Sequence, residues 1–329
     1  MKFYYILMIS IAVLFTACEK TITVDLPDPE PVLNIQAFFE EGDETLEVWV
    51  SRNKSVLDTS IVLESDLEDS DASPLLNMYW IADATVELYK NGTLMTTFYS
   101  NAATHTYRAD LGQAFAPEPY DIYELKVSAP GFPDAVATHM HPNDLELVEY
   151  SYDSIVQVPY FSNSTYYFED DIGDKLTVRL QDPKGEDNYY HINVYADIAY
   201  LQENGDPYYA SPFVGTIVPA NAIIREELSQ NYYSGYGNGC IFSDQALKDQ
   251  LRDLSFYVES FENWDSLPDT LYLAIASTSE DYYLYEKSFQ EYQASGDFFS
   301  EPVLLYSNVK GGQGLFITRT IHRKLIAIE

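Results

Sequence analysis

The sequence predicts a mainly β protein in two parts: a β-sandwich, then a second β-rich domain carrying one or two short helices. Three observations predict this. Short runs of alternating apolar and polar residues recur along the chain, Asn-Gly pairs punctuate them, and helical spacing of apolar residues is confined to two places. A hydrophobic fraction of 46% with 15% aromatic residues is too rich for a disordered chain, so these runs have cores to bury.

The chain opens with Lys2 and an apolar run over 3–15 broken only by Ser10, followed by Thr16, Ala17 and Cys18. That run is too short for a spanning helix of roughly 20 residues but has the length of a signal-peptide core. A small residue before a lone cysteine at this distance resembles a bacterial lipobox. Residues 1–17 are therefore expected to be a signal peptide, and Cys18 the residue that is lipidated, carrying acyl chains such as palmitate once cleavage frees its amine. A triacylated cysteine supplies the several chains that stable anchoring requires. Residues 18–31 then form a tether: EKTITVDLPDPEP holds three prolines and four acids, and proline fixes φ and removes backbone donors.

The first domain is placed at 32–141. Residues 32–39 (VLNIQAFF) and 45–51 (TLEVWVS) alternate, with Gly42 in the connection, and predict an antiparallel hairpin. The acid-rich stretch 64–73 is a solvated loop, without the glycine and distal glutamate of an EF-hand. Residues 83–99 (DATVELYKNGTLMTTFY) carry Asn91-Gly92 between two alternating runs, the signal of a type I′ turn with φ > 0 at both central residues. Strands at 107–111 and 123–129 follow, closed by Pro130-Gly131-Phe132-Pro133. Residues 82–132 resemble the transthyretin-like, Ig-like sandwich modules common in exported bacterial proteins, which speaks for fold and not for activity.

The second domain is placed at 142–329, after His139-Met140-His141-Pro142. Strands are expected at 145–152, 175–180, 189–201 and 271–277, with tight turns at 182–185 and at Asn204-Gly205. One helix is expected over 244–251 and another over 278–295, the latter capped by Ser277 with Glu280 three residues on. Along it Tyr282, Tyr285, Phe289 and Tyr292 recur at spacings of three and four, a stripe expected to face the core. His139 and His141 would point to one side of a strand, but no third metal ligand lies near them in sequence.

The formal charge is −34, which repels phosphate backbones and argues against a nucleic-acid partner. Only Cys18 and Cys240 are present; with Cys18 lipidated, Cys240 has no disulfide partner and is expected to be a small buried residue. The chain holds no GxSxG, HExxH, CxxC or Walker lysine loop. The expectation is a protein that works by binding, not an enzyme, with no cofactor and no metal. Tyrosine stands out at 29 copies. Tyr208 and Tyr209 flank a hairpin and Tyr232, Tyr233 and Tyr236 lie in a glycine-rich loop, and these five form a candidate contact surface, since tyrosine gives stiff amphipathic area suited to protein contact or sugar stacking.

Residues 281–316 run from a Tyr-rich helix through a loop to Glu301-Pro302, Ser307-Asn308-Val309, Gly311-Gly312, Gly314 and Phe316. This pattern, with the opening CEKTITVDLPDPEP, is similar to the lipoprotein family known as domain of unknown function 4249. The resemblance implies an outer-membrane lipoprotein of Bacteroidota-type bacteria; the acids close behind Cys18 resemble the export signals of surface lipoproteins, which favours the cell surface over the periplasmic face. It also implies a β-barrel partner, a TonB-dependent transporter or assembly complex. It brings no catalytic residues. The alternative is a surface lipoprotein that captures glycan or peptide with its exposed tyrosines. Physically, the glycines at 311–314 suit a bulge or a crowded strand junction. No lysine and helix follow them, so they do not cradle phosphate.

Overall fold

Alternation becomes pairing from the first strand. β1 (Leu33–Glu40) buries every second side chain, and β2 (Thr45–Arg52) answers with Leu46, Val48 and Val50. The two are antiparallel around Gly42, whose φ of 98° fits a residue without Cβ. The computed structural model describes residues 31–53, 79–158, 172–181, 186–197, 199–201, 207–209, 213–214, 217–227, 239–245, 253–258, 270–294 and 303–326. The fold among these residues is mainly β, with two helices.

β3 (Thr85–Lys90) and β4 (Thr93–Asn101) form the hairpin expected of Asn91-Gly92, with φ of 51° and 77° at the turn. β5 (Thr106–Asp110), β6 (Ile122–Ser128) and β7 (Ala135–Met140) complete the N-terminal set. One layer contains β1, β2 and β5; the other contains β3, β6 and β7. β4 belongs to both, because its first half pairs with β3 and Tyr99–Asn101 pair with β5. Both layers feed one core, in which Phe39 meets Phe98, Phe115 and Phe316 at centroid distances of 6.1, 6.1 and 5.4 Å. The Tyr107 hydroxyl donates to the Ile81 carbonyl and accepts from Ala84 N–H, tying the loop before β3 to that core.

Further along come β8 (Glu146–Gln157), β9 (Ile172–Gln181), β10 (Tyr189–Asp197), β11 (Ala199–Leu201), β12 (Pro207–Tyr209), β13 (Phe213–Val214), β14 (Ile217–Pro219) and α1 (Ala222–Glu227). The chain ends with β15 (Cys240–Ser243), β16 (Leu254–Val258), β17 (Thr270–Thr278), α2 (Glu280–Ala294), β18 (Val309–Lys310) and β19 (Gly312–Ile326). One antiparallel sheet runs β14-β16-β9-β8, while β10 takes β17 on one side and β13 and β15 on the other. A second core gathers side chains from β9, β10, β15, β16 and β17, including the buried Cys240. The helix expected at 244–251 falls, past Gln245, outside the described residues, as do the turns at 182–185 and Asn204-Gly205 and the acidic loop at 64–73.

β19 joins the two cores. It pairs in parallel with β1 from Gly312 to Arg319, then antiparallel with β17 from Thr320 to Ile326. Phe316 enters the first core, whereas Leu315 and Ile317 enter the second, and all three are 0% exposed. A strand buried on both faces carries a continuous apolar run, which is why LFI stands here in place of alternation. Each such side chain is worth about 1.5–3 kcal/mol on burial, so this short stretch is a principal fastener of the fold.

Candidate functional site

The site is best built from α2, because its sequence dictates what faces where. Ser279, not Ser277, starts the helix: Ser279 Oγ accepts from Tyr282 N–H at 3.3 Å and its carbonyl from Tyr283 N–H at 3.1 Å. The expected cap at Ser277 fails because that residue is still in β17, buried, with its hydroxyl donating to Asn143 O at 2.6 Å. Glu280 and Asp281 then put negative charge in the first turn, where the helix dipole favours it.

The aromatic stripe divides in two. Tyr282 is 5% exposed and lies edge-on to Phe38 of β1 at 6.5 Å, with its hydroxyl 3.2 Å from His191 Nδ1. Glu286 and Arg319 also reach that hydroxyl; burial raises the pKa of Tyr282 and of the Glu286 carboxyl. In this cluster Tyr282 and His191 are buried beneath the helix, while Glu286 and Arg319 are partly exposed at its edge. Tyr285, partly buried against the second core and stacked on Phe289 at 6.1 Å, also lines a cleft, as does Tyr292, which is 53% exposed.

The cleft has a volume of about 990 Å³. One wall is α2. The opposite wall is the segment 303–307, held to the helix by Tyr306 N–H donating to Ser288 Oγ at 2.8 Å and by the Tyr306 hydroxyl donating to Asp281. The floor is the outer face of the β1–β19 pair, where Asn34 lies across from Gln313 and Gln36 from Leu315. Asn53 closes one end, with its Oδ1 accepting from Val32 N–H at 2.9 Å. Trp49, 42% exposed, is the cross-strand neighbour of Gln36 on β2.

What holds the floor in place is the signature read from the sequence. Asn308 donates through Nδ2 to Phe316 O at 2.7 Å and accepts at Oδ1 from Phe316 N–H at 3.0 Å, so its amide stands where a neighbouring strand would. Its Nδ2 also reaches Asp281 at 3.3 Å, linking floor to wall. Ser307 Oγ accepts from Val309 N–H. Gly311 turns the chain from β18, which pairs with β7, into β19, which pairs with β1, and so closes the sandwich on the side opposite β4. Gly312 and Gly314 let β19 approach β1: a Cβ on Gly314, where φ is 115°, would stand 1.8 Å from Ile35 O.

His139 and His141 are both buried and turn towards β19 rather than towards an open site. His139 Nε2 lies 3.1 Å from Thr318 O and His141 Nδ1 lies 2.7 Å from Thr318 Oγ1. Burial pushes both imidazoles down to about 4. Among the described residues no three His, Cys, Asp or Glu side chains gather as a metal site. No described helix is long and apolar enough to cross a membrane.

Of the other candidates, Tyr208 and Tyr209 lie on β12, across from Tyr200 and Ala199 of β11, with side chains outside the described set. Cys18, Tyr232, Tyr233, Tyr236, Glu301 and Pro302 also lie outside the described residues. The cleft was missed because its parts look ordinary in sequence. Asn34 and Gln36 alternate like any solvent-facing strand positions, and Tyr285 and Tyr292 share a helical stripe with the buried Tyr282. The one available signal was that the stripe continues past the core-facing turn into Lys287, Glu291 and Tyr292, too polar a surround for burial.

Comparison with curated proteins finds no match. Among solved structures, the crystal structure of Parabacteroides merdae β-glucuronidase is matched with a TM-score of 0.22 and 10% identity, over 76% of this chain and 23% of that one. Likeness at that level carries no argument. The family model for a domain of unknown function (DUF4249) matches residues 19–324, nearly the whole chain, and the protein belongs to that family.

Proposed function

We propose that this chain is an outer-membrane lipoprotein, anchored through Cys18 and facing the cell surface, that works by binding and not by catalysis. Its ligand site is the cleft between α2, segment 303–307 and the β1–β19 floor, and its partner is an outer-membrane β-barrel, as a TonB-dependent transporter or assembly complex would supply. The observation that carries the reading is the cleft's composition. A space of about 990 Å³ lined by amides, tyrosines and the aliphatic side chains of Leu284, Val303, Leu304 and Leu305 has the size and mixed lining of a ligand pocket. Tyr282, Glu286, His191 and Arg319 are not among the residues that line it. The leader and lipobox, the acidic body and the family support the location.

A pull-down from detergent-solubilised membranes tests the partner: a β-barrel protein is expected to co-purify, and recovery of none would sink the accessory role. The Cys18→Ser variant is expected to leave the membrane fraction. A second reading, surface capture of glycan or peptide without a barrel partner, is favoured by the cleft's own tyrosines. It differs in predicting saturable ligand binding with no barrel in the pull-down.

A further inference from the structure

We infer that the cleft takes a short, uncharged oligosaccharide, an inference that rests on reading this cleft as the ligand site. The first reason is the chemistry of the floor. Gln36 and Gln313 make no side-chain hydrogen bond among the described residues, and each amide offers a donor group and an acceptor side by side. Adjacent hydroxyls of a sugar ring present the same two functions in return.

Second, charge is balanced or spent. Lys287 and Glu291 lie one helical turn apart on the cleft wall, and the Lys287 ammonium is already engaged, donating to Tyr283 Oη at 2.9 Å and lying 5.0 Å over its ring. Lys287 is the one cation among the described lining residues, Glu291 a turn away offsets it, and the net charge of −34 on the whole chain sets a field that repels a uronate or sulfate.

Third, the floor denies a peptide its usual foothold. β1 is paired on both sides, by β2 and β19, and Asn308 fills the far edge of β19 at Phe316. No backbone edge is free there for strand addition, so recognition falls to side chains. Fourth, the tyrosines are spaced for a chain of rings. Tyr285 and Tyr292 are seven residues apart on one helix face, about 10 Å, the separation of sugar units two apart in a chain that stacks along an aromatic wall.

Calorimetric titration of the purified lipoprotein in detergent micelles tests this. The probes are cellohexaose, xylohexaose, mannohexaose, maltohexaose and laminarihexaose, against oligogalacturonate and synthetic hexapeptides. Saturable binding of at least one neutral hexasaccharide is expected, weakened tenfold or more by Tyr292→Ala and by Gln313→Ala. Binding is expected to be unchanged by Tyr99→Ala, on an exposed strand outside the cleft. Preference for oligogalacturonate or a peptide, lost in the same two variants, overturns the uncharged sugar as ligand while leaving the cleft as the site. A neutral sugar bound equally well by both variants overturns the cleft itself, and uptake of no probe overturns the inference.

Discussion

Replacing Gly314 with alanine tests how the two ends of the chain are knitted together. Two penalties are involved, and Gly42 separates them. At Gly42 φ is 98° and an added Cβ would meet nothing within 4 Å, so Gly42→Ala carries the backbone penalty alone, about 1–3 kcal/mol. At Gly314 φ is 115°, a comparable conformation, but the Cβ would stand 1.8 Å from Ile35 O, 2.8 Å from its carbonyl carbon and 2.9 Å from its nitrogen. All three atoms are backbone, so no rotamer change relieves the overlap. Ordinary contact begins near 3.4 Å, and β1 and β19 must part by about 1.6 Å at this point. That opens the parallel register around Ile35↔Gly314, where each buried backbone group left unpaired costs about 1–3 kcal/mol. Two such groups bring the total above about 4 kcal/mol, the range reserved for a specific structural failure. Urea unfolding of the two variants beside the parent protein reads this as a difference in midpoint at equal slope. Gly314→Ala is expected to lose at least 2 kcal/mol more than Gly42→Ala. Equal losses in the two would refute the close parallel pairing of β1 with β19.

Asn308→Ala removes both hydrogen bonds to the backbone of Phe316, a residue with no exposure, and is expected to cost about 2–4 kcal/mol by the same urea measurement. Acid should also loosen the protein through the buried histidines. With pKa values of about 4 in the fold against an ordinary 6.5, His139 and His141 stay neutral in the folded chain while the unfolded chain takes up protons. Their contribution is therefore intact above pH 6.5 and lost as pH falls towards 4, on the order of 3 kcal/mol for each. Asp43 and Glu286, whose pKa values burial raises, act in the opposite sense within the carboxylate range. His139→Gln should flatten the slope of stability against pH between 6.5 and 4, measured by urea midpoints across that window; an unchanged slope would place the acid sensitivity elsewhere.

Local features were legible in the chain and distant ones were not. Asn91-Gly92 announces its turn because φ > 0 at two successive positions is a demand few residue pairs meet. The alternation of β1 and β2 announces a half-buried hairpin for the same kind of local reason. The cap of α2 was misplaced by two residues because Ser277 and Ser279 both satisfy the local rule; what decides between them is that β17 runs on to Thr278, a matter of pairing with β10 and β19. The parallel union of Leu33–Glu40 with Gly312–Arg319 joins segments almost a chain length apart, and no periodicity encodes a partner at that distance. The glycine run at 311–314 did give notice of crowding, without saying against what. The tyrosine stripe concealed the cleft because a single helical face there serves two environments in succession, core at Tyr282 and open wall at Tyr292.

The placement of the cleft follows from the same union. Its floor exists only where β19 lies against β1, and its wall is fixed to that floor through Asp281, which takes Tyr306 and Asn308 together. Asn308 in turn holds Phe316, which reaches into the first core, while its neighbours Leu315 and Ile317 reach into the second. The cleft therefore lies on the two strands that bind both cores into one body, with Asn34, Gln36, Gln313 and Gly314 as its lining. Such a floor is difficult to deform, because moving it would unpack either core, so the amides of Gln36 and Gln313 are held in position before any ligand arrives. Preorganisation of this kind reduces the ordering cost of binding. It assigns adaptability to the wall at 303–307, where Leu304 is 84% exposed and the backbone belongs to no strand or helix. A rigid floor beside a wall pinned at Tyr306 and exposed at Leu304 is the arrangement that the proposed ligand-binding role needs.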